Sequence, residues 1–574
     1  MEMSASAQSR TATSQAKLDE ALSVLSDRAP AFSRLGPGER AALLRACMPR
    51  LASVAQGWVE AACKAKGLAI DSPSSSEEWL AGPMVTMRAL RLFVKSLDEI
   101  SRHGKPQLPS GAFRTGWDGR TEVQVFPLEP TDKALFAGFS SYLRMQKGLT
   151  ELSVHERQAS HYHTQDPRPG VSLVLGAGNV ASIPPTDALH KLLVEGKVCI
   201  VKLNPVNEYL GPFYEQAFQP LVERGYLRFV YGGAEVGSYL SYHPLVEDIH
   251  ITGSDRTHDL IVWGPPGADS DRRRAQNDPL LKKNITSELG CVTPVMVVPG
   301  DYSPSELRFV AENVASQVAN NASFNCNAAK VLVTSEGWPQ REAFVGMVRE
   351  ILADTPTRLA YYPGAEERYA KLTKDSATVT KLGRAEPGRL QWALIRDLDP
   401  KANDPHYSTE PFCGILSEVA LPESDPAAFV TAAAKFSNDK LWGTLSCSLI
   451  IHPRTEAAPE VKKALDSAID ELRYGLVGIN HWPAVAYGAM SPPWGGHPSA
   501  TLQNIQSGLG YVHNTPMIEG IEKAVLRGPL TVFPKPPWFT TNRRSQFIAE
   551  RLVSFEQQPS LLKLPGIIFN ALRG

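Results

Sequence analysis

No CxxC pair occurs in this sequence, and cysteine itself is scarce: seven residues in 574, at 47, 63, 199, 291, 326, 413 and 447. The odd number and wide spacing exclude a disulfide framework or a zinc site of ordinary spacing, and point to a reducing compartment. Net charge is nearly absent too, at -1. No global field therefore draws the chain to nucleic acid or to an anionic membrane. No stretch approaches the roughly eighteen uninterrupted apolar residues of a membrane span. Residues 1–16, rich in Ser, Ala, Thr and Gln, lack the apolar centre of a signal peptide and read as a disordered start. Internal repeats are missing. The composition left over, 43% hydrophobic and 21% charged, is that of a soluble globular protein, and a cytoplasmic one is expected. A chain of 574 residues is too long for one core, and its length corresponds to roughly three to four folding units.

Residues 17–100 carry apolar side chains at helical spacing, as in Leu18, Ala21, Leu22 and Leu25, or Leu43, Leu44, Cys47 and Leu51. The Pro and Ser cluster at 72–76 reads as a loop between two such runs. Residues 101–170 are less regular, with a strand-like run at 121–126; the part from 130 to 150 is expected to form an arm. From 171 the pattern becomes strand and helix in alternation. Strands are predicted at 171–175, 198–202, 228–231 and 248–251, with helices at 182–195, 212–224, 234–242 and from 253 to 263. Gly176-Ala177-Gly178 makes a tight turn after the first strand. Such alternation implies an α/β fold with a parallel sheet covered on both faces, and ligands in such sheets sit beyond the carboxyl ends of the strands. A second alternating region covers 285–480. Residues 264–284 and 361–409 read as polar and irregular. Near the end, 545–555 is helical, and the short apolar run 565–572 is expected to pack on the body, with peripheral membrane contact as the lesser reading.

One stretch organises the rest: Asn320-Asn321-Ala322-Ser323-Phe324-Asn325-Cys326-Asn327-Ala328-Ala329-Lys330. It is small, polar and uncharged until Lys330, and it joins a predicted helix at 305–319 to an apolar strand at 331–334. A thiol at such a junction can reach a cleft. It becomes a nucleophile only as the thiolate, so it needs a neighbour that takes its proton or lowers its pKa. Taken alone, Cys326 would be read as one more small buried residue.

Other short stretches fall into one order around it. Asn179 follows the first strand of the alternating region. Val201-Lys202-Leu203-Asn204-Pro205 ends the second strand, and Ile251-Thr252-Gly253-Ser254 ends a later one. Ser287-Glu288-Leu289-Gly290 opens the second region. After Cys326 come Glu410-Pro411-Phe412 with Gly414, then Gly475 to Asn480, then Ser491-Pro492-Pro493-Trp494-Gly495-Gly496. This order and content, from about 170 to 500, resembles the aldehyde dehydrogenase superfamily. The resemblance implies two Rossmann-like parallel-sheet domains with N-terminal helices and an oligomerisation arm. It divides the chain into 17–284 (helices and dinucleotide-binding domain), 285–480 (catalytic domain) and 481–574 (return to the cofactor domain, oligomerisation segment and C-terminal extension). It further implies oxidation of an aldehyde to a carboxylic acid with NAD or NADP, in a homo-oligomer without a metal. By position, Cys326 matches the nucleophile, Glu288 the base that activates water, and Asn179 the side-chain donor to the developing alkoxide. Lys202 matches the lysine at the adenosine ribose. Gly253 and Ser254 match the turn that sets pyrophosphate on a helix N-terminus. Glu410 and Phe412 match the pair at the nicotinamide ribose and ring.

The pattern also departs from the family's. His258 stands where a second glycine is common. Pro205 replaces the acidic residue that often follows the lysine, with Glu208 further on, so NADP stays open and Arg256 or the Arg272-Arg273-Arg274 run are candidate phosphate partners. Two other readings stand beside the main one. A coenzyme A-dependent acylating enzyme is the first, opposed by Glu288, which acylating members commonly lack. The second is a non-catalytic relative of the same fold. Trp482 and Tyr487 are expected at an apolar mouth of the pocket.

Overall fold

The computed structural model describes residues 10–374 and 378–574. Five strands form a wholly parallel sheet in the order Leu227–Val230, Val198–Lys202, Val171–Leu175, Asp248–Gly253, Asn284–Leu289. Their cores are runs of Val, Ile and Leu because helices cover both faces. The strand order turns back between Val171–Leu175 and Asp248–Gly253, which leaves a crevice at the carboxyl ends. The helix Ile183–Leu193 starts on Pro184 and Pro185, whose missing N–H groups cost a first helical turn nothing. All of its residues are buried.

A second sheet has eleven strands. Its parallel centre runs Leu476–Ile479, Ser446–Ile450, Pro294–Val297, Val331–Ser335, Ile415–Leu421, Trp392–Leu398. Alternate side chains enter two cores: Val331 and Val333 pack with Ile395 and Ile415 on one face, Leu332 with Leu394 and Leu416 on the other. Full burial of each such side chain contributes about 1.5–3 kcal/mol. The segment expected as an arm supplies one strand of this same sheet: Ser140–Met145 pairs antiparallel with both Thr121–Phe126 and Ile521–Arg527.

Several expectations need correction. Ordered structure begins before residue 17. Residues 1–9 lie outside the described residues, but Thr13 exchanges hydrogen bonds with Tyr231 at 3.0 Å, and a helix begins at Gln15. The 72–76 loop is a 3₁₀ turn, Pro73–Ser75, that runs straight into the helix Ser76–Trp79. Phe218 divides the 212–224 helix into Gly211–Ala217 and Gln219–Glu223. Within 264–284 lies the helix Ala268–Ala275, with Asp269 and Asp271 in its first turn and three arginines in its last, the order its dipole favours. The 361–409 region holds the helix Ala365–Thr373 and two strands of the large sheet, Val379–Leu382 and Trp392–Leu398. At the end of the chain the helix Leu564–Ala571 buries Ile567 but leaves Ile568, Phe569 and Leu572 about half exposed. Among the described residues no helix is long and apolar enough to cross a membrane.

Candidate active site

The carboxyl ends of the small sheet face the loop before Val331–Ser335, and a cleft of about 1250 Å³ lies between them. Cys326, Glu288, Asn179, Lys202, Gly253, Ser254, Glu410 and Phe412 all line it. Cys326 is half-buried, whereas the other six cysteines are buried.

The loop that presents Cys326 is held in an unusual backbone form. Ser303 caps the preceding helix, Pro304–Ala319, accepting from the N–H of Glu306 while Glu306 accepts from the N–H of Ser303 at 2.8 Å. After that helix, Asn321, Ala322 and Ser323 take left-handed φ values of 51°, 55° and 66°. Each costs on the order of 1–2 kcal/mol in a residue with a Cβ, so surrounding contacts must impose the shape. Asn321 gathers them. Its side-chain amide donates to the backbone oxygens of Asn179 at 3.0 Å and Phe324 at 3.1 Å. Its side-chain oxygen accepts from Lys66 at 3.1 Å and from the Tyr361 hydroxyl at 2.8 Å, and its backbone N–H donates to Glu77 at 3.0 Å. Lys66 is buried and paired with buried Glu78 at 2.8 Å, and Glu77 is paired with Arg358 at 2.9 Å. Asn179 is fixed by the same group: its carbonyl accepts from Lys66 at 3.0 Å, and its Nδ2 donates to the Phe324 carbonyl at 2.9 Å. Phe324 precedes Cys326 by two residues, so this bond holds Asn179 beside the cysteine loop and uses one of its two Nδ2 hydrogens.

Glu288 lies near the end of strand Asn284–Leu289 and is buried. Burial pushes its carboxyl up to about 8; the carboxyls of Asp187 and Glu410 add to this, and Cys326 opposes it. Its Oε1 is buried without a protein partner. Burial, reinforced by the facing Glu288 carboxyl, raises the Cys326 thiol well above its ordinary range, so thiol and carboxyl both rest protonated at neutral pH. Lys330 acts the other way. Its ammonium is buried, donates to the carbonyl of Asn325 at 3.0 Å, and favours the thiolate. Burial lowers the pKa of Lys330 itself. Glu410, pushed up to about 7 by burial, lies against Gly290, where a Cβ would stand 2.0 Å from its Oε2. A side chain at 290 would therefore displace Glu410. Phe412 joins an aromatic group with Phe324 and Tyr362, at ring distances of 5.8 and 4.9 Å. At the other end of the cleft, Ser254 caps the helix Asp255–Trp263 and its first N–H groups open into the space, with Lys202 nearby.

No family model matches the sequence, and no curated protein matches it. Solved structures do. The glyceraldehyde-3-phosphate dehydrogenase GapN of Methanocaldococcus jannaschii, complexed with NADP, superposes with a TM-score of 0.58 at 13% identity, over 90% of this chain and 96% of its own. An aldehyde dehydrogenase of Mycobacterium tuberculosis, complexed with NAD+, gives 0.60 at 18%, over 92% of each chain. Lactaldehyde dehydrogenase of Escherichia coli gives 0.58 at 16%, over 90% and 92%. The fold is that of the aldehyde dehydrogenases.

Within the aldehyde dehydrogenase fold, several residues singled out by sequence lie elsewhere than expected. His258 is fully buried on its helix, with Nδ1 3.3 Å from Asp259, and does not line the cleft. Of the Arg272–Arg274 run none reaches the cleft; Arg274 pairs with Asp259 and Arg272 with Asp269. Glu208 is buried and accepts from the backbone N–H of Arg10 at 2.7 Å. Trp482 and Tyr487 do not line this cleft. Trp482 donates to the carbonyl of Asn327 at 2.8 Å, bracing the residue after the cysteine, and the Tyr487 hydroxyl meets Ser182 at 2.8 Å. The sequence reading missed Lys66, Glu235, Lys330 and Tyr361. Lys330 carried a signal, as the first charge after a long neutral stretch beside a cysteine. Lys66 and Tyr361 carried none, because their roles exist only through contacts between distant segments.

Proposed function

We propose that this protein oxidises an aldehyde to a carboxylic acid with NAD or NADP as hydride acceptor. The observation that carries this reading is the convergence of Cys326, Glu288 and Asn179 on one cleft whose far end offers a lysine and a helix N-terminus. The chain's residues fit a dinucleotide: the buried Oε1 of Glu410 has no protein partner and suits a ribose hydroxyl, while N–H groups at the start of Asp255–Trp263 suit a pyrophosphate. Lys202, Gly253 and Ser254 would hold the adenosine side, Glu410 and Phe412 the nicotinamide side. When bound, the nicotinamide supplies the hydride acceptor.

The steps assigned to this chain are these. In the fraction of molecules whose Glu288 is ionised, the carboxylate takes the proton of the Cys326 thiol, with Lys330 favouring the thiolate, and sulfur bonds to the aldehyde carbon. Asn179 Nδ2 and the Cys326 backbone N–H receive the oxyanion, and such donors, already in place, are worth about 2.7–4 kcal/mol each. Loss of hydride from that carbon leaves a thioester on Cys326. Glu288, deprotonated again, takes a proton from water, the hydroxide adds to the thioester, and the thiolate leaves as the acid forms. Glu235 lines the adenosine end beside Lys202. Its carboxylate would oppose a 2′-phosphate, which favours NAD over NADP.

The test is a panel of aliphatic, aromatic and phosphorylated aldehydes assayed with each cofactor for growth of reduced-nicotinamide absorbance. We expect turnover, greater with NAD, that Cys326→Ala abolishes. Dinucleotide binding without turnover of any aldehyde would refute the reading.

A further inference from the structure

Glu288 accepts a proton in every proposed turnover, yet it is buried, and the cleft in front of it would be filled by cofactor and aldehyde. A second route through the protein would let Glu288 shed that proton while the cleft is occupied. Behind Glu288 the small sheet carries an unusual stripe. Thr252 and Glu288 are register partners on adjacent strands, and so are His250 and Thr286. Because side chains alternate, these four share one face of the sheet. On the opposite face of the same strand, Ile249 and Ile251 are apolar. Asp187, from the buried helix Ile183–Leu193, closes over the stripe.

The contacts form a series. Thr252 Oγ1 donates to Asp187 Oδ2 at 2.7 Å and lies 3.3 Å from His250 Nε2. His250 Nε2 is 3.6 Å from the same Asp187 oxygen. His250 Nδ1 meets Thr286 Oγ1 at 2.9 Å. Thr252 and Glu288 line the main cleft, whereas Thr286 lines a second cavity of about 520 Å³. That cavity lies toward the amino ends of the strands, beside Lys197 and Glu247. Asp187 and His250 are each about 2% exposed or less. Burying an acid and an imidazole is costly, and stability alone gives no reason for this series to join two cavities.

We infer that Asp187, Thr252, His250 and Thr286 form a proton conduit from Glu288 to the second cavity. The inference rests on the reading of Glu288 as the base. The balance is that of a relay. Protonated Glu288 gives its proton to the Asp187 carboxylate, which acts on it through charge; this first link is a gap, and the hydrogen-bonded series begins at Asp187. Asp187 passes a proton to Thr252 as the Thr252 hydroxyl proton moves to His250 Nε2. The proton on His250 Nδ1 moves to Thr286, whose own proton leaves to water in the second cavity. One proton is gained and one lost at each member, and Glu288 is again a carboxylate. Burial keeps His250 neutral, with one donor and one acceptor nitrogen. Asp187 is held up to about 7 by burial, with Thr252 and Lys191 opposing, close to the value for Glu288, so transfer between them is nearly level. Lys191 faces Asp187 from its own helix, and His190 and His513 face His250.

The experiment needs no knowledge of the natural aldehyde. The full-length protein is acetylated with p-nitrophenyl acetate, freed of reagent and held in saturating NAD so that the main cleft is occupied, and loss of the acetyl group is followed by intact mass. Wild type is compared with Thr286→Val, which removes only the outermost hydroxyl, and with His250→Ala. We expect both variants to acetylate at the wild-type rate and to deacetylate on the order of ten-fold more slowly. Added imidazole should speed His250→Ala more than wild type. Wild-type deacetylation rates in both variants, or no selective gain from imidazole, would overturn the conduit. Failure of the underlying reading looks different: no acetyl group on Cys326, or Glu288→Gln deacetylating as fast as wild type.

Discussion

At Cys326 the local chemistry opposes the job assigned to it until a partner intervenes. Burial and the facing carboxyl disfavour the thiolate, and only Lys330 leans the other way. Glu288 bears the mirror problem, since burial holds its proton to about 8 against an ordinary value of 4.5. Each therefore depends on the other to move a proton, which is a reason for them to share one cleft. The same shift affects stability. Between 4.5 and about 8 the folded state keeps a proton that the unfolded chain has released. Stability from this group is thus full below 4.5 and is lost as pH rises toward 8. Glu288→Gln should raise the thermal midpoint over wild type by more at pH about 8 than at about 5. An equal difference at both pH values would contradict the buried, proton-retaining state.

Among the elements, the strand and helix alternation from 171 to 263 was legible because its short parallel strands are rich in Val, Ile and Leu and are separated by turn residues and helical runs. The order of the motifs around Asn179, Lys202, Glu288, Cys326 and Glu410 was legible for a related reason, as the first three end or follow such a strand and the last two stand a few residues before one. Trp392–Leu398 was missed although it reads as apolar, because polar residues on both sides masked it. The network that shapes the cysteine loop was invisible: Lys66 and Asn321 are 255 positions apart, and nothing local marks either. That network makes a sharp prediction. Lys66→Met leaves Glu78 as an uncompensated buried charge and should destabilise the protein by about 3 kcal/mol. Adding Glu78→Gln should recover most of the loss, as read in urea unfolding. If single and double variants unfold alike, the pair does not anchor the loop.

For the molecule as a whole, the two ends of the chain are joined. Arg88 on the helix Val85–His103 reaches Glu556 on the helix Ser545–Gln557 at 2.9 Å, and Arg91 reaches it at 2.6 Å, all in buried surroundings. The C-terminal extension thereby completes the N-terminal helical layer, which in turn supplies Lys66, Glu77 and Glu78 to the cysteine loop. The small sheet contributes Asn179 and Glu288, and the large sheet carries Cys326, so the cleft exists only when all three layers assemble. In the proposed reaction one sulfur carries the acyl group and one carboxyl releases it. The most direct measurement is intact mass of Glu288→Gln after mixing with nicotinamide cofactor and an aldehyde that wild type oxidises. We predict an acyl adduct that accumulates on Cys326 in step with one equivalent of reduced cofactor. Reduced cofactor formed without any adduct, or formed equally well by Cys326→Ser, would contradict it.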